Sequence, residues 1–217
     1  MILAIDTTSE FGSLALVDAD GVVDEVPLHA PDGFGHVLYP KLEQLLARNR
    51  VNVNAMECFA AASGPGSFTG VRIGLAAIKG LAEASGRPAV AVSNLQALAW
   101  SGTRPLRATL LDARRGEVYG AVYDDHLDLV CPEVVMKFAD WLRMLPVGDI
   151  ELVAVDMPQT DPGMPVVIAL RALAGVIGRI AWKRFRDGYA SDPAALDANY
   201  VRRSDAEILW KGRLTGR

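Results

Sequence analysis

Apolar residues along this chain change period in a set order, and then the order begins again. Three short alternating runs, residues 2–6, 12–18 and 22–29, read as strands separated by Gly/Asp turns. Asp20-Gly21 is a hairpin dipeptide, so the second and third strands pair antiparallel. The period then lengthens. Val37, Leu38, Leu42, Leu45 and Leu46 lie at helical spacing, with Pro40 confined to the first turn or to a kink. Residues 58–63 return to a strand, Val71, Leu75, Ile78 and Ala82 mark a second helix, and 89–92 form a fifth strand before a short helix near 95–100. The second pass has strands at 107–112, 117–124 and 127–136, a helix at 138–145 and a strand at 151–155. It closes with a loop at 157–165 and a long helix carrying Val166, Leu170, Leu173, Ile177 and Ile180. A doubled β-β-β-α-β-α order predicts an α/β chain of two stacked lobes with mixed sheets. The lobes are expected at 1–103 and, abbreviated, at 104–217.

Composition narrows the classes further. At 217 residues and 51% hydrophobic, the chain can bury a sizeable core and is not disordered. No uncharged run is long enough to span a membrane, and the start has no basic segment of the kind that leads a signal peptide. Two cysteines, Cys58 and Cys131, make no disulfide framework. A cytoplasmic globular protein is expected. The net charge of −4 conceals an asymmetry: residues 167–217 carry ten Arg/Lys against five acids, leaving −9 on the first 166. Such a segment is a solvated helical face or a basic contact surface.

Two loops invite a reading as phosphate sites. Between the fourth strand and the second helix runs Ser63-Gly64-Pro65-Gly66-Ser67-Phe68-Thr69-Gly70-Val71-Arg72-Ile73-Gly74. Backbone N–H groups at a helix N-terminus hold anions well. The stretch nonetheless lacks the Gly-Lys-Ser/Thr of a P-loop, and Thr69 stands where the dinucleotide fingerprint needs glycine or alanine. The alternative is a tight turn in which Gly70 and Gly74 let the helix lie close to a neighbour. The second loop, Asp6-Thr7-Thr8-Ser9, places an acid and hydroxyls after the first strand. It grips a phosphate and its metal, or it is a hydrogen-bonded turn. His29, His36 and His126 have no metal-ligand spacing, and no serine nucleophile elbow is present. Asp112-Ala113-Arg114-Arg115-Gly116-Glu117 reads as a charged hairpin turn.

The Ile5-Asp6-Thr7-Thr8 segment, the Gly64–Gly74 block, the Asp112, Arg114, Gly116, Glu117 turn with Val118-Tyr119, and Asn199-Tyr200-Val201-Arg202-Arg203 occur in that order. Together they resemble the TsaB (YeaZ) family, bacterial glycoprotease-like proteins of the actin/Hsp70/sugar-kinase (ASKHA) fold. The resemblance implies a non-catalytic scaffold that binds and activates TsaD together with TsaE, so that a threonylcarbamoyl group reaches the adenosine beside a tRNA anticodon. It implies no intrinsic cofactor and no metal, with ATP or ADP only at the complex interface with TsaE. The catalytic relative's His-x-x-x-His pair and Gly-Gly loop are missing here. The resemblance further implies that the first two helices form a bundle with TsaD, or with a second copy of the chain. Val37, Leu38, Leu42, Leu45, Gly70, Val71, Gly74, Leu75 and Ile78 are the expected contacts. Asp6, Thr7, Thr8, Ser9, Gly64, Gly66, Ser67, Thr69 and Arg72 are then vestigial phosphate loops, and Arg202, Arg203 and Lys211 candidate tRNA contacts. The alternative is an ATPase or phosphotransferase of the sugar-kinase fold using the Asp6 and Gly64–Gly70 loops.

Overall fold

A computed structural model describes residues 1–158 and 160–201. The first sheet contains β1 (Ile2–Asp6), β2 (Phe11–Val17), β3 (Val22–His29), β4 (Cys58–Ala62) and β5 (Ala89–Val92), in the order β3-β2-β1-β4-β5. β1 pairs antiparallel with β2 and parallel with β4, and β2 pairs antiparallel with β3. The turn at Asp20-Gly21 closes on an Asp18 N–H to Gly21 C=O bond of 2.9 Å. α1 (Leu38–Arg48) and α2 (Phe68–Ser85) follow β3 and β4, and α3 (Asn94–Ala99) follows β5. Pro40 falls in the first turn of α1, where its missing N–H costs no helical bond. Gly86 ends α2 in the left-handed conformation.

The second sheet repeats this topology. β6 (Leu106–Arg114), β7 (Glu117–Asp124), β8 (Leu129–Lys137), β9 (Ile150–Ala154) and β10 (Val166–Ile168) lie in the order β10-β9-β6-β7-β8. Read from its other edge, that is the order of the first sheet. Two mixed sheets of matching order make the two-lobed ASKHA-like α/β fold expected from the sequence. The abbreviation lies in the helices: only α4 (Phe138–Met144) separates β8 from β9, and loop alone joins β9 to β10.

The final segment departs from expectation. Val166 and Leu170 do not belong to the last helix: β10 occupies Val166–Ile168, and α5 begins only at Ala174 (Ala174–Arg186). Pro165 and three successive β-branched residues favour the extended form there, and the helical spacing of Val166 and Leu170 is coincidental.

α5 then crosses back onto the first sheet. Ile2, Ala4, Ala15, Val17, Cys58 and Ala60 face Ile177, Ile180 and Ala181 of α5 in one core. The alternate residues Leu3, Ile5, Leu14, Leu16 and Phe59 face α1 and α2 in another. The period-2 alternation of β1 and β2 thus feeds two helical layers. Ser13 Oγ and Glu25 Oε1 accept the Ala174 and Gly175 N–H groups at 2.8 and 2.9 Å, capping α5 from the first sheet. Residues 174–186 therefore complete the first lobe rather than the second. A smaller core under the second sheet holds Leu110, Val122, Trp141 and Leu152. Among the described residues, no helix is long and apolar enough to cross a membrane.

Candidate functional site

A cleft of about 710 Å³ opens between the two sheets, and the sequence-singled loops converge on it. Asp6, Thr7, Thr8 and Ser9 form its floor after β1, Gly66, Ser67, Thr69 and Gly70 one wall, and Asp112 and Arg114 the opposite rim. Its chemistry depends on whether the loops offer free donors to a ligand. They are largely spent on each other.

Asp6 is 2% exposed and turns its carboxylate onto its own loop. Oδ1 accepts the Thr8 N–H and hydroxyl at 2.9 and 2.7 Å, and the Asn94 amide at 3.5 Å. Burial pushes the Asp6 carboxyl above its ordinary value, outweighing the Thr8 and Asn94 hydrogen bonds that pull it down. Thr7 donates its hydroxyl to the Gly70 carbonyl at 2.7 Å, and Ser67 donates its N–H to the Thr8 carbonyl at 2.6 Å. Ser67 Oγ in turn accepts the Gly70 N–H at 3.3 Å and caps α2. These donors of Thr7, Thr8, Ser67 and Gly70 are occupied within the two loops.

The neighbour that the glycines approach is this same floor. A Cβ at Gly70 would run into the Thr7 carbonyl oxygen, one at Gly66 into the Thr8 carbonyl, and one at Gly74 would lie 2.6 Å from Thr7 Oγ1. Gly64 adopts φ 98°, which glycine tolerates, and its N–H donates to Asn94 Oδ1 at 3.0 Å. Asn94 is the functional-looking residue the sequence reading missed. Its side chain ties the Asp6 turn to the Gly64 turn, donating also to Thr8 Oγ1 at 2.7 Å. The only local signal is Ser93-Asn94 after a strand, an ordinary helix start.

The Asp112–Glu117 turn is the hairpin tip between β6 and β7. Arg114, Arg115 and Gly116 all take positive φ there (63°, 57° and 76°), with the Arg114 N–H donating to Asp112 Oδ1 at 2.7 Å. Across the cleft Arg171 pairs with Asp156 and sits 4.7 Å over the Phe11 ring. Among the described residues, no group of three or more His, Cys, Asp or Glu is placed to hold a metal ion.

The expected partner contacts need correction. Leu38, Leu42, Leu45, Val71, Leu75 and Ile78 are buried in the core between α1, α2 and the first sheet, and Val37 packs against it. Gly70 and Gly74 face Thr7 rather than another chain. These positions carry the helical periodicity because the chain's own sheet covers them. The outward faces of α1 and α2 include instead Tyr39, Glu43 and Gln44, and Arg72, Ala76, Gly80 and Glu83. Arg202, Arg203 and Lys211 lie outside the described residues.

Residues 18–209 match the family model of TsaD, tRNA N6-adenosine threonylcarbamoyltransferase. The chain is 31% identical to the tRNA threonylcarbamoyladenosine biosynthesis protein TsaB of Bacillus subtilis, over 96% of this chain and 97% of that one. It is 38% identical to TsaB of Escherichia coli over 56% of this chain and 54% of that one. The solved structure of YeaZ from Pseudomonas aeruginosa superposes with a TM-score of 0.77 at 26% identity, covering 92% of this chain and 98% of that one. With 96% of its length aligned to a TsaB at 31% identity, its doubled sheet topology and its convergent loops, the chain belongs to the TsaB (YeaZ) family.

Proposed function

We propose that this protein takes part in tRNA threonylcarbamoyladenosine biosynthesis as an accessory, non-catalytic subunit that docks on and activates TsaD, acting with TsaE. Family membership supplies the pathway. The observation that carries the accessory role is the floor of the cleft, where Asp6, Thr8, Ser67 and Asn94 satisfy one another. Among the described residues, no buried side-chain nitrogen or oxygen is left without a partner. A site built to turn over a nucleotide leaves polar groups waiting for it. Adenine nucleotide, in this reading, binds only where TsaE meets the complex.

Docking uses the outward faces of α1 and α2, and the same face pairs with a second copy when TsaD is absent. Gly80 supports this reading. It lies exposed in mid-helix, nothing comes within 4 Å of a Cβ placed there, and glycine weakens a helix at such a position. Close approach of another helix explains it. The test is co-elution with purified TsaD. Wild type is expected to co-elute, and Ala76→Glu and Gly80→Glu to lose TsaD with no fall in melting temperature. A wild-type chain that passes TsaD without binding overturns the role. So does ATP turnover that survives repurification and disappears in Asp6→Ala.

A further inference from the structure

The two turns that frame the cleft floor, Ser63-Gly64 after β4 and Ser93-Asn94 after β5, are tied together twice. From inside, the tie is Asn94: its Oδ1 accepts the Gly64 N–H at 3.0 Å, and its own N–H donates to the Gly64 carbonyl at 2.9 Å. From outside, the tie is a pair of side chains from two other elements. Residues 189–201 run back from α5 along the first lobe. Ser191 bridges to Ala89 of β5, Lys79 of α2 donates to the Ala194 carbonyl at 3.3 Å, and Leu196 is buried. Asn199 then reaches the first turn. Its N–H donates to the Ser63 carbonyl at 2.8 Å, and its carbonyl oxygen lies 3.3 Å from where a Cβ on Gly64 would stand. Its side-chain amide donates to Glu133 of β8. Glu133 also accepts the Ser93 hydroxyl at the second turn and, at 2.6 Å, the Tyr123 hydroxyl of β7.

The sequence accounts for a β8 carboxylate at this point. Pro132 has no N–H to give the ladder, and β8 bulges there, with Pro132 and Glu133 together standing opposite Ala121 alone. A bulge re-aims a side chain, and this one lets Glu133 meet the first lobe at Ser93. Three neutral donors from three elements converge on one carboxylate, and hydrogen bonds to a charged acceptor are the strong ones.

The circuit Ser63–Asn199–Glu133–Ser93 has one weak member. β4, β5 and β8 are each paired within a sheet, whereas only Pro193 and Leu196 of residues 189–201 are buried. A segment with few buried side chains opens at a lower free energy than the sheets it rests on. Its opening withdraws both Asn199 bonds at once.

We infer that residues 189–201 are a latch on the cleft floor. Seated, Asn199 and Glu133 hold the Ser63-Gly64 turn to the Ser93-Asn94 turn and to the second sheet. Released, the segment loosens both turns while the sheets stay folded. The latch belongs to the isolated chain and does not depend on docking to TsaD.

Hydrogen–deuterium exchange of the full chain, read by mass spectrometry, tests it. Asn199→Asp sets a carboxylate against Glu133 at nearly unchanged size. Exchange is expected to rise roughly tenfold or more in peptides covering 63–70 and 92–96 as well as 189–201. Peptides around Trp141, in the second core, are expected to exchange as in wild type. Adding Glu133→Gln turns the pair round, with the new amide donating to the new carboxylate, and is expected to return exchange toward the wild-type rate. Glu133→Gln alone is expected to behave as wild type, because an amide can accept from Asn199 and donate to the two hydroxyls. Should Asn199→Asp unfold the chain, Asn199→Ala decides by the same peptides, with a rise at 63–70 and 92–96 expected. A rise confined to 189–201, an equal rise around Trp141, or a double variant no slower than Asn199→Asp overturns the latch.

Discussion

Asp6 shows how a residue type that suggests chemistry can be used for architecture. Its carboxylate accepts three hydrogen bonds from Thr8 and Asn94, which fix the turn beneath the glycine-rich wall. Burial raises its pKa, so the folded chain holds the proton more tightly than the unfolded one. The sign follows. The Asp6 contribution to stability is greatest below the unfolded value, about 4, and is lost as pH rises through the higher folded value. Asp6→Asn keeps an acceptor and removes the buried charge. Its stability is expected to match wild type at low pH and to exceed it increasingly as pH rises, measured by urea unfolding across the range. A pH-independent difference would show that burial does not govern this group. Asp6 was legible in the sequence as a turn residue after β1. Asn94, which completes the turn from 88 positions away, was not, because no local pattern records a contact at that separation.

At the scale of elements, α2 carries two kinds of glycine. Gly70 lies against the Thr7 backbone, which cannot move aside as a flexible side chain does. Gly70→Ala is expected to cost about 1–3 kcal/mol through overpacking. Gly80, with open space around it, should gain up to about 1 kcal/mol on replacement by alanine. Melting temperatures moving in opposite directions in the two variants, measured at a concentration that keeps the chain monomeric, check this; a fall in both would mean that Gly80 serves a packing role within the chain. The periodicity of α1 and α2 located both helices and their apolar faces correctly. It did not say what covers those faces. Leu42 and Leu75 satisfy an amphipathic pattern equally well against a sheet or against another molecule, and only the burial of β1 and β4 beneath them decides. β10 escaped for the converse reason, being three residues long and lying at helical spacing with α5.

For the molecule as a whole, α5 decides how the two halves behave. It comes after the second sheet in sequence, yet its Ile177, Ile180 and Ala181 complete the core of the first. Ile177 is fully buried there, so Ile177→Ala is expected to cost about 2–5 kcal/mol. The loss should appear in both lobes at once, with the far-UV signal and the fluorescence of a variant whose one tryptophan is Trp141, in the second core, shifting together. Two separated transitions would mean that the lobes unfold independently. The sequence by itself determined the order of strands and helices apart from β10, the Asp20-Gly21 hairpin, the doubled α/β plan and the two loops worth inspecting. Each of these follows from periods and turn residues within a few positions of one another. Tertiary structure alone decided that the glycines approach Thr7 and Thr8, that the apolar helix faces are already covered, and that α5 and then Ser191 and Ala194 return to the first lobe. Those outcomes depend on contacts between distant segments, where shape and the saturation of hydrogen bonds select the neighbour, and a linear pattern carries neither.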